Sequence, residues 1–226
     1  MARITGAIYL FVIVTMVFSL IYVPGQIHLV GDAKAIAQAI VAQESLYRAG
    51  ILSWVIGEAA FLVLPFAFFR LFHSVQREAA VAMVAFACAS VPLGLVAAAH
   101  RWDALSFAGD HPPGLSLSGE NQQAMMMHAL TSYHSVLLVS ELFWGLWLLP
   151  LGYLVIKCGV LPKIIGLLLM LGCAGYIIEL VGTVLFANYD AMPLARFVTL
   201  PAAVGEFGIC FWLLAMGVRR PAVSGV

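Results

Sequence analysis

Six apolar stretches, at about 4–23, 49–71, 79–99, 131–156, 164–187 and 197–218, constrain this chain more than any other feature. Each has roughly the 20 residues needed to cross ~30 Å of hydrocarbon. None alternates polar and apolar residues with period two. Since backbone groups in lipid must be satisfied within the segment, the stretches read as helices and not as barrel strands. The expected fold is therefore all-α, a polytopic membrane bundle of six transmembrane helices forming a single domain over residues 1–226. Composition agrees. Hydrophobic residues make up 63% of the chain and charged ones 10%, and the mean hydropathy is +1.03. A soluble domain carries about 25% charged residues, so a soluble enzyme, a nucleic-acid binder and a disordered tail are all excluded. The 11 basic and 11 acidic residues balance, which leaves no basic field for nucleic acid.

The same charges orient the bundle. With six spans, Arg3, Arg70, Arg77, Lys157, Lys163, Arg219 and Arg220 fall on one side, and Lys34, Arg48, Arg101 and Arg196 on the other. The positive-inside rule then places both termini in the cytoplasm. The acids Asp32, Glu44, Asp103, Asp110, Glu120 and Asp190 fall on the opposite, outer side. The first stretch has no A-x-A cleavage site after it and is expected to stay as an uncleaved span. Cys88, Cys158, Cys173 and Cys210 show no C-x-x-C spacing and read as reduced packing residues. In the first outer loop, Asp32 is placed to cap a helix carrying Ala33, Ile36, Ala37 and Ile40 on one side, which suggests a helix lying on the outer membrane face. The loop 100–125 must be irregular at His111-Pro112-Pro113-Gly114, and helix is able to restart from Ser118.

Four carboxylates lie inside the apolar stretches: Glu58, Glu141, Glu179 and Glu206. An ionised carboxylate at the bilayer centre costs at least ~2.5 kcal/mol. Each must face the bundle interior, carry a proton or pair with something, and no Lys or Arg lies at midplane depth to pair with them. Glu58, Glu141 and Glu206 come ~12–15 Å below the outer helix ends, at 1.5 Å per residue. Acids at one depth on three helices are expected to meet around one outward-opening cavity. A carboxyl that keeps its proton can donate it to a substrate, so Glu58, Glu141 and Glu206 are the candidate catalytic groups. Glu179, His134, Trp54, Trp144, Tyr176 and Arg101 are the candidate ligand contacts. Trp54, Trp144 and Tyr176 stand three or four residues from an acid and so share its helix face. Plain packing and one Tyr–Glu hydrogen bond would account for the same aromatics. No Glu is followed three residues later by His, as a di-iron bundle requires, so no metal is expected and no cofactor can be named.

Spans two, four and six each carry a small residue before Glu: Gly57-Glu58, Ser140-Glu141 and Gly205-Glu206. Each ends in a basic residue, which suggests three helical hairpins of one ancestry. Pro65, Pro92, Pro150 and Pro201 each free a backbone carbonyl and are expected to bend their helices.

The string Phe143-Trp144-Gly145-Leu146-Trp147-Leu148-Leu149-Pro150-Leu151-Gly152-Tyr153-Leu154-Val155, continuing to Gly159-Val160-Leu161-Pro162-Lys163, resembles a bacterial integral-membrane family known as domain of unknown function 4386. Arg3-Ile4, Gly6 and Tyr9-Leu10, and Leu200-Pro201-Ala202-Ala203-Val204-Gly205-Glu206, are similar to it as well. The resemblance implies a six-span protein, in a bacterium one of the inner membrane, and carries no catalytic residue over. Three functions remain open. The Glu cluster holds or protonates a lipophilic small molecule such as an isoprenoid- or quinone-like lipid; or the chain is a structural or accessory subunit of a partner membrane protein; or it is a proton-coupled carrier, working as a homo-oligomer.

Overall fold

The computed structural model describes residues 1–27, 29, 31–109, 117–195 and 197–217. Asp110, the His111–Gly114 stretch, Arg196, Arg219, Arg220 and the side chain of Asp190 lie outside the described residues. Most of the described residues are helical, and none of them forms a strand. In chain order the helices are α1 (Ala2–Val17), a π-helical turn (Phe18–Tyr22), α2 (Val23–Gln26), α3 (Ala33–Ala42), α4 (Glu44–Phe72), α5 (Arg77–Ala108), α6 (Gly119–Lys157), α7 (Lys163–Leu185) and α8 (Leu200–Ala215).

Among the described residues, five segments are long and apolar enough to cross a membrane: Ala2–Gln26, Glu44–Phe72, Arg77–Ala108, Gly119–Lys157 and Lys163–Leu185. The sixth expected span is a helix too, but α8 has only 16 residues. At 1.5 Å per residue it is ~24 Å long, short of the hydrocarbon thickness. Its start explains the difference. Residues 197–199 form turns, and Pro201 sits in the first turn of α8, where a missing N–H costs nothing. Pro201 therefore opens a helix and does not bend one. Pro65, Pro92 and Pro150 lie inside α4, α5 and α6, which continue through them.

Asp32 caps α3 as its position suggested, its carboxylate accepting from the Ala35 N–H at 2.8 Å. The apolar side of α3 does not serve to lie on a membrane. Ile36 and Ile40 are buried in a protein core with Val23, Ile27, Tyr47 and Met126. The four cysteines are free thiols.

The chain forms two compact units, one from residues 1–10, 61–90 and 141–226, the other from residues 11–60 and 91–140. The first is centred on aromatic rings: Tyr9 meets Phe68 and Trp147 edge-on at 5.7 and 6.0 Å, and Phe61 meets Trp147 at 5.3 Å. In this unit α7 packs along α8. α6 and α7 approach so closely at Gly152 and Gly166 that a Cβ on either would press on the other's backbone oxygen. Close contact through small residues is how helices associate where lipid removes any hydrophobic drive. The second unit is centred on the core that α3 completes. Large side chains such as Phe11, Leu52, Phe66, Val184 and Phe211 stay exposed, the pattern of helices whose outer faces meet lipid.

Candidate functional site

In the first unit, Glu206 on α8 accepts a hydrogen bond from the Tyr9 hydroxyl on α1 at 2.8 Å. Tyr9 is 2% exposed, and its ring is held by Phe68 and Trp147. Tyr176 on α7 lies within electrostatic reach of Glu206, Glu141 and Glu179. Glu141 and Glu179 are also within reach of each other. Trp144 stands edge-on to Tyr176, ring centres 6.5 Å apart. Gly145 admits this arrangement, since a Cβ there would come within 2.8 Å of the Tyr176 Cβ. One oxygen of Glu141, Oε2, is buried with no hydrogen-bond partner among the described residues. No Lys or Arg forms an ion pair with Glu141 or Glu206 among the described residues. No three His, Cys, Asp or Glu side chains among the described residues are grouped tightly enough for a metal ion. A tyrosine among three acids, with a second tyrosine donating to one of them, is suited to holding and passing protons and to hydrogen-bonding a polar group.

The second unit holds the other site residues. Glu58 on α4 is 0% exposed, and neither of its oxygens has a partner among the described residues. It lies against Gly94 of α5, where a Cβ would collide with its carboxyl group. One turn before it, the Trp54 indole N–H donates to the Gly94 carbonyl at 2.7 Å. The polar group at the end of α5 divides. His100 and Asp103 approach each other at 3.8 Å on one side of the helix, while Arg101, a third of a turn on from His100, is buried at 4% exposure. Arg101 and His134 line one cavity of about 210 Å³.

The structure therefore places Glu141, Glu179, Glu206, Trp144 and Tyr176 in one unit, and in the other sets Trp54 one turn from Glu58 and puts Arg101 and His134 on the wall of one cavity. The sequence reading missed Tyr9 as the partner of Glu206. It also missed Ser19, Tyr47 and Tyr133, which surround Arg101. The one local signal for Ser19 is Pro24, five residues on. Proline cannot donate to the carbonyl four residues before it and crowds that carbonyl. The helix widens here into the π turn 18–22, closed by the Val23 N–H on the Phe18 carbonyl.

A family model described as "Domain of unknown function (DUF4386)" matches residues 4–217. An uncharacterized protein of Archaeoglobus fulgidus is 34% identical over 103 residues, which is 43% of this chain and 56% of the relative. The chain thus spans a little over half the length of that relative. No solved structure matches.

Proposed function

This chain belongs to the DUF4386 family, and from that premise we propose that it is a six-span inner-membrane protein, one domain over residues 1–226, with both termini in the cytoplasm. Its carboxylate cluster holds a lipophilic small molecule, an isoprenoid- or quinone-like lipid, and exchanges protons with it. α8 is the short sixth span, and the surplus of basic residues on the side that holds the termini supports the orientation. Glu141 and Glu206 are the proton-exchanging groups, Glu179 tunes them, and Tyr176 and Trp144 wall the ligand. Glu58 is a further buried carboxyl that acts within its own unit. The observation that carries the reading is the Tyr9–Glu206 hydrogen bond in the same unit as the buried Glu141 Oε2, unpartnered among the described residues, with Tyr176 within electrostatic reach of both acids. That many carboxyls in apolar helices are costly to keep.

A structural reading is favoured by one feature of the same site. The Tyr9–Glu206 hydrogen bond ties α1 to α8, and such bonds hold membrane helices together. The two readings separate by mass spectrometry of bound small molecules on detergent-purified wild type and on the Glu141→Gln/Glu206→Gln variant. A specific lipophilic compound, present on wild type and lost from a folded variant, is the expected result. Identical profiles holding only bulk lipid would overturn the ligand reading in favour of the structural one.

A further inference from the structure

Arg101 is the only Lys or Arg among the described residues that is buried. A guanidinium keeps its charge in any protein environment and has five N–H donors to satisfy. Here one donor is met by a side-chain oxygen: Nη1 donates to Ser19 Oγ at 2.7 Å. Ser19 in turn donates to the Gly50 carbonyl at 2.8 Å. The guanidinium carbon stands 5.2 Å from the centre of the Tyr47 ring and 5.6 Å from that of Tyr133. Two ring faces and a hydroxyl partly stabilise a cation, but they do not neutralise it. No carboxylate pairs with Arg101 among the described residues.

The backbone is shaped around this side chain. The π turn 18–22 carries Ser19, and such turns recur at functional sites. A Cβ at Gly50 would come to 3.0 Å from Arg101 Nη2, so α4 is bare where the guanidinium needs room.

Arg101 opens onto the 210 Å³ cavity, whose wall holds His134 at an exposed position, the two tyrosines and seven aliphatic or proline residues. Every described lining residue belongs to the unit 11–60 and 91–140. An inorganic anion would gain nothing from the apolar wall, and a neutral lipid would leave the guanidinium without a counter-charge. At ~30 Å³ for each water-sized group, the space takes a small head and a few carbons. The rest of a long chain must run outside it, and a head as large as phosphocholine does not fit.

We propose that this cavity binds the oxyanion head and first carbons of a single-chain amphiphile, paired with Arg101. The inference is independent of the carboxylate cluster, since no residue of that cluster lines the cavity.

The test is equilibrium binding to the full-length protein in uncharged detergent, using oleate, farnesyl phosphate, oleyl alcohol and inorganic phosphate as probes. Oleate or farnesyl phosphate is expected to bind one to one, with oleyl alcohol and inorganic phosphate at least about tenfold weaker, as the loss of a charged hydrogen bond implies. The tighter of the two anions tells a carboxylate source from a prenyl phosphate source. Arg101→Gln, if folded by circular dichroism, should weaken binding about ten- to a hundredfold. Leu137→Trp fills the cavity and leaves Arg101 in place, and it should weaken binding as well. The proposal is overturned if the alcohol or free phosphate binds as tightly as the anionic chains, if neither anionic chain binds, or if a folded variant binds like wild type. Should Arg101→Gln fail to fold, the four probes on wild type and the Leu137→Trp variant still decide.

Discussion

The Tyr9 hydroxyl is the donor given to Glu206, and removing it leaves a carboxyl to find another partner in apolar surroundings. Tyr9→Phe should lower stability by about 1–2 kcal/mol, read as a lower melting temperature in detergent; unchanged melting would mean that the bond contributes nothing. Glu58 and Gly94 offer a cleaner measurement, because a Cβ at 94 collides with the Glu58 carboxyl. Gly94→Ala should cost about 1–3 kcal/mol by overpacking in wild type, and much less when Glu58 is also Ala. A double-mutant cycle reads the coupling, and strictly additive effects would place the strain elsewhere. All four acids inside apolar stretches were evident from the chain, because a Glu in an apolar run stands out. Tyr9 was not evident: a tyrosine in an apolar helix looks the same whether it packs, faces lipid or donates to a residue 197 positions away.

At the level of the elements, the long helices followed from apolar runs of spanning length, which continue through Pro65, Pro92 and Pro150. The ends followed only where a side chain acts locally, as Asp32 does for α3. The α8 boundary was misplaced because residues 197–199 are as apolar as a helix but form turns. The apolar side of α3 was seen, but its use was not, since a stripe that fits a membrane surface fits a protein core equally well. Packing between elements depends on groups too small to signal themselves. Gly152 on α6 faces the backbone of Gly166 on α7, and a backbone cannot yield as a flexible side chain does. Gly152→Ala should therefore cost about 1–3 kcal/mol. A melting temperature within a degree of wild type would show that α6 and α7 separate without penalty.

For the molecule as a whole, span number decides which side each terminus occupies. Six spans with cytoplasmic termini predict that a green fluorescent protein fused at the C-terminus fluoresces and that alkaline phosphatase fused there is inactive. The reverse pattern, with the N-terminus inside, would mean that α8 does not cross and that five spans do. This measurement bears on the short helix directly, since 16 residues require a thin bilayer or help from flanking groups to span.

What this sequence determined alone was its solvent and its class: a chain 63% hydrophobic in runs of spanning length must satisfy its backbone within helices. It also marked the charged residues placed where charge is costly. Only the tertiary structure decided their company. Arg101 and His100 are neighbours in the chain, but the helical rotation between them sets one beside Asp103 and buries the other among Ser19, Tyr47 and Tyr133. Those contacts span up to 82 residues. They arise from how helices pack, and no local pattern encodes them.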